Sequence, residues 1–80
     1  MPHEGYIRSE LEEKIVAMQR TIESIEDRIS FCVDQLTTNR TLSHDAKIAY
    51  RIELMGLEEE SKSKRAQLNE LKMMTATTKN

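Results

Sequence analysis

The chain reads as an all-α protein, an antiparallel hairpin of two long helices. Three observations carry that reading. The composition is a helix-forming mixture, with Gly 2, Pro 1 and 32% charged residues among 80, which leaves little to interrupt a helix. Two apolar stripes repeat every seven residues on either side of a short polar break. No segment shows the period-two alternation that a half-buried strand requires.

The first helix is predicted over about 6–37. Its stripe is Leu11, Ile15, Met18, Ile22, Ile25, Ile29, Cys32 and Leu36, with steps that alternate between four and three. That is a strict heptad seam, with Ile15, Ile22, Ile29 and Leu36 at a and Leu11, Met18, Ile25 and Cys32 at d. Ser9 suits an N-cap with Glu12 as its capping-box partner, and Gly5 offers an earlier start. The turn is expected over about 38–42. There Asn39 suits a left-handed position at a helix end.

Ser43 reads as the next N-cap, with Asp45 placed to complement the helix dipole. The second helix is predicted over about 43–73. Its seam is Ala46, Tyr50, Leu54, Leu57, Ser61, Lys64, Leu68 and Leu71. The tail 75–80 lacks periodicity and is expected to fray. Gly56 sits mid-helix, where it either allows a close approach or breaks the helix; an unbroken helix is the expectation.

The two seams fit one antiparallel register. Leu36 pairs with Ala46, Cys32 with Tyr50, Ile25 with Leu57 and Leu11 with Leu71, and each pair of positions sums to 82. Both stripes share the same period, so this is consistency rather than independent proof. Two positions are poor, because Ser61 falls opposite Ile22 and Lys64 opposite Met18. A further covering element is therefore expected over Met18 and Ile22.

Apolar residues remain off the seam. Ile48, Ile52 and Met55 form a second stripe on the second helix, and Val16, Phe31 and Val33 lie off the seam on the first. A small two-helix domain seldom builds a sufficient core alone. The expected solution is a homodimer that closes into a four-helix bundle. The predicted interface, with itself or a partner, is Phe31, Val33, Ile48, Ile52, Met55 and Gly56. The predicted acidic partner face is Glu12, Glu13, Glu23 and Glu26.

Charge and motifs narrow the function. Net charge is −2 from 12 Lys+Arg and 14 Asp+Glu, unlike the basic footprint of a general nucleic-acid binder. From Glu4 to Leu36 there are eight acids and four bases, while Ser43 to Lys72 carries six of each. The acidity therefore belongs to the first helix. One cysteine excludes a disulfide scaffold and suits a reducing, cytoplasmic setting. The N-terminal stretch MPHEGYIRSE lacks the apolar core of a secretory signal, and no apolar run is long enough for a membrane span.

No catalytic, cofactor or metal site is predicted. Cys32 falls on the seam, where it acts as a small core hydrophobe. His44 pairs in register with Thr38, past the end of the seam, so no Cys–His dyad is expected. His3, His44 and Cys32 lack metal-ligand spacing. Glu12/Glu13 and Glu26/Asp27 are sequence neighbours that diverge by about 100° on a helix, which suits general acid–base work poorly. Asn39-Arg40-Thr41 matches a glycosylation sequon by chance and marks an exposed turn.

The expected function is a non-catalytic protein–protein interaction module. It would be a small adaptor or a phage-type inhibitor that blocks a partner protein by steric occlusion. The alternatives are a coiled-coil scaffold element of a larger complex, and a hairpin dimer that sets Lys47, Arg51, Lys62, Lys64 and Arg65 against phosphates.

Overall fold

The computed structural model describes the backbone of residues 3–78 and the side chains of residues 9–76. Two helices are present, α1 from His3–Thr38 and α2 from His44–Thr78. They pack side by side as one hairpin, a rod of 62 × 14 × 14 Å. Its radius of gyration is 18.0 Å, where a compact chain of this length would have about 12 Å. None of the described helices is long and apolar enough to cross a membrane.

The seam is where the sequence places it. Every predicted seam residue on both helices is buried or half-buried, from Leu11 to Leu36 and from Ala46 to Leu71. Lys47 is half-buried beside Ala46, so α2 enters the seam at two adjacent positions. The heptad of α2 then runs with Leu54, Ser61 and Leu68 at a, and Tyr50, Leu57, Lys64 and Leu71 at d.

The helix ends differ from expectation. α1 begins at His3, so Ser9 lies inside the helix and is not its cap. α2 continues to Thr78, so the tail is helical through Thr78, and Lys79 and Asn80 lie outside the described residues. Several threonines satisfy themselves within a helix. The Thr37, Thr38 and Thr75 hydroxyls donate to the carbonyls of Val33, Asp34 and Leu71, the i−4 pattern that lets β-branched hydroxyl residues sit in helices.

The turn uses Asn39 in another way than predicted. No described non-glycine residue has positive φ, so Asn39 is not left-handed. Its side-chain oxygen instead accepts from the Thr41 backbone N–H at 3.0 Å and the Thr41 hydroxyl at 2.7 Å. Its amide donates to Gln35 Oε1 at 2.8 Å. This Asx-type turn closes the connection by side-chain bonding, with no need for αL strain. Ser43 caps α2 as expected: its hydroxyl accepts from the Ala46 N–H at 3.1 Å, with Asp45 in the first turn.

The middle of the hairpin needs no extra cover at Ile22. Ile22 and Ser61 are each only 7% exposed in the single chain. Arg65 bridges the helices at this level: its Nε donates to Ser61 Oγ at 3.3 Å and its guanidinium pairs with Glu26. Helical side chains lean toward their own N-terminus. Glu26 therefore leans toward the level of Ile22, Arg65 leans toward that of Ser61, and the two meet over the seam. Met18 and Lys64 are half-buried.

Gly56 leaves α2 unbroken. A Cβ built there would meet nothing within 4 Å, so no close intrachain approach depends on this glycine.

Candidate interaction surfaces

Two ion pairs define the flanks of the rod. Arg28 and Glu53 both occupy g positions, and Glu26 and Arg65 both occupy e positions. This is the g-to-g and e-to-e matching that an antiparallel seam imposes. The hairpin thus has a g side and an e side, and each exposed residue can be assigned to one of them.

The g side carries a compact cluster. Arg28 binds Glu53 through two bonds, Nε to Oε2 at 2.6 Å and the terminal nitrogen to Oε1 at 2.9 Å. The same guanidinium lies 4.8 Å from the Phe31 ring centre. Phe31 meets Tyr50 edge-to-face, with centroids 6.1 Å apart and planes at 66°. Arg28 holds the Glu53 carboxyl below the usual carboxylate range, first by hydrogen bonding, and Glu53 in turn raises Arg28.

Cys32 lies in the core beside this cluster, with 0% exposure. Burial pushes its thiol upward, and Glu53 adds to the shift. A buried, protonated thiol is a packing group, since nucleophilic attack requires an accessible thiolate. His44 is exposed on the first turn of α2. Among the described residues, no group of three or more His, Cys, Asp or Glu is assembled as a metal site.

The predicted interface set divides between the two sides. Val33, at e, and Ile48 and Met55, at b, belong to the e side, with Ile52 at its f margin. Phe31 and Gly56, both at c, belong to the g side. The reason is angular: positions c and e are separated by about 155° around a heptad helix, so Phe31 and Val33 cannot serve one flat surface. Ile52 and Met55 are the most exposed of the set, at 65% and 68%.

The acidic set stays together on the e side and its margin. Glu12, Glu13 and Glu23 are exposed, and the first two border a shallow open groove on α1 lined by Ser9, Glu12, Glu13, Val16, Ala17 and Arg20. Glu26 departs from its predicted role. It is half-buried and committed to Arg65, so it holds the hairpin together instead of facing a partner.

Sequence reasoning missed the Arg28–Glu53 and Glu26–Arg65 pairs and named Arg65 only as a possible phosphate contact. Their signal was present in the seam: once a and d are assigned, opposite charges at paired g or e positions mark cross-seam ion pairs. Comparisons of the chain with protein-family models, curated proteins and solved structures give no match.

Proposed function

We propose that the chain is a non-catalytic protein–protein interaction module, a cytoplasmic adaptor or phage-type inhibitor that acts by steric occlusion and self-assembles as a four-helix bundle. The observation that carries this reading is the row of Val33, Ile48, Ile52 and Met55 left in water on one side of a rigid rod. Scattered apolar residues are ordinary on surfaces, but a contiguous row beside charged residues is the usual anatomy of an association site. The area agrees. The chain exposes 6298 Å², where a compact monomer of its mass exposes about 5,000 Å². The surplus of roughly 1,300 Å² exceeds the ~800 Å² per partner of a standard interface. The row supplies affinity, and the acidic residues Glu12, Glu13 and Glu23 supply specificity and encounter rate. The 62 Å length also favours a second reading, a spacer element in a larger assembly.

Light scattering over a concentration series, with circular dichroism on the same samples, tests the proposal. Wild type is expected to double its mass while remaining highly helical. Ile52→Asp and Met55→Asp should stay helical at single-chain mass, because both side chains lie outside the seam. A wild type that stays at 9.3 kDa throughout overturns the self-associating reading.

A further inference from the structure

The e side has a charge pattern that selects one arrangement of two copies. Among its e and b positions, apart from the Glu26 already paired with Arg65, α1 carries Glu12 and Glu23 and no base, a local charge of −2. The same positions of α2, apart from that Arg65, carry Arg51, Lys62 and Lys72 against Glu58 alone, a local charge of +2. One face of the rod is therefore split lengthwise into an acidic helix and a basic helix, and the apolar row lies toward its turn end.

Two rods pressed together through this face can be related by two kinds of two-fold axis. If the axis runs along the rods, the turns lie at the same end and α1 of each copy covers α2 of the other. If the axis runs across them, α1 covers α1 and α2 covers α2. The first arrangement sets −2 against +2 twice, and the second sets like charge on like.

The geometry points to the first: a second copy of this chain seats on the e side with its turn at the same end, α1 over the partner copy's α2. Positions at one level of the rod sum to about 82, and pairs summing to 81–85 lie within about one helical turn of each other. Val33 then lies level with the other copy's Ile48, Ser30 with its Met55, Glu23 with its Lys62 and Glu12 with its Lys72. The apolar row closes upon itself near the turn, and the charged half closes by opposite charge. This inference rests on the self-associating reading above and specifies its geometry.

Two measurements test it. Spin labels are placed separately at Arg40→Cys, in the turn, and at Glu70→Cys, far along α2, with Cys32 shielded by burial. The inferred arrangement puts both label pairs within about 35 Å, since neighbouring helices pack about 10 Å apart. Residues 40 and 70 lie about 43 Å apart along the rod at about 1.5 Å per residue. In any head-to-tail pair, at least one of the two separations must then exceed about 40 Å. The second measurement is the dimer dissociation constant at low salt. Glu23→Lys and Lys62→Glu should each weaken the dimer about tenfold, and the combined variant should recover most of the loss.

In the like-on-like arrangement, Glu23→Lys would relieve repulsion and tighten the dimer. A long label separation, or a dimer that Glu23→Lys leaves unchanged or strengthens, overturns the inferred geometry while leaving self-association standing. A chain that never dimerises overturns both.

Discussion

Cys32 and Ile22 show what a seam position does to a side chain. Cys32 is fully covered and its thiol is held protonated by burial and by the nearby Glu53. Its alkylation at neutral pH should therefore be slow in the folded protein and fast in denaturant. A native rate equal to the denatured rate would contradict the packing. Its raised pKa adds stability that is present below the ordinary thiol range and lost as pH rises through the folded value. Glu53 acts in the opposite direction. Its lowered pKa contributes stability above the usual glutamate range, and that contribution disappears as pH falls through the depressed folded value. Melting temperature should thus drop on acidification, and Glu53→Gln should flatten the acid limb of the profile. Ile22→Ala should cost about 2–4 kcal/mol by leaving a cavity in the buried seam. Ile52→Ala, at an exposed site, should scarcely change the stability of a single chain, and chemical denaturation of both variants under monomeric conditions checks the contrast.

At the level of elements, the ends and the middle of α2 are decided by backbone chemistry. The Ser43 hydroxyl satisfies an N–H that the helix cannot, so Ser43→Ala should destabilise by about 1 kcal/mol. Gly56 lies mid-helix with open space at its missing Cβ. Gly56→Ala should therefore stabilise by roughly 0.5–1 kcal/mol, by reducing the entropy of the unfolded chain with no clash in the folded one. For a domain this small that corresponds to a rise of several degrees in Tm. Because position 56 lies on the g side, the same substitution should leave dimer affinity unchanged. A loss of affinity in Gly56→Ala would move the interface to that side.

The whole molecule is a rod, and its shape sets its chemistry. Two helices can bury only one stripe each, so no described residue sits in an enclosed site and a large fraction of the apolar surface stays wet. Ordering a chain of this size consumes most of what such a core supplies. A second layer of packing is therefore worth more to this protein than to a compact domain. Association should raise thermal stability with protein concentration, since binding that favours the folded state shifts its unfolding by mass action. Melting curves at increasing concentration should move upward for wild type and remain fixed for Ile52→Asp.

Spacing along the chain predicts the hairpin and its core residues and is consistent with the register. An amphipathic helix in water must bury its stripe, and alternating steps of four and three leave one face on which to do so. Hence every seam residue named from spacing alone, down to Ser61 and Lys64, is at least half-buried. The Ser43 cap was equally legible because it depends on contacts three residues away. Packing settles what spacing leaves open: that Ile22 is covered within the single chain and which acid is committed to the hairpin. Glu26 looked like one acid among four until Arg65, distant in sequence, leaned over the seam to meet it. The opposite flanks of Phe31 and Val33, at c and e, follow from the heptad itself and were legible without the structure. The Glu26–Arg65 pairing depends on the lean of long side chains across two packed helices, which periodicity along either helix alone does not encode.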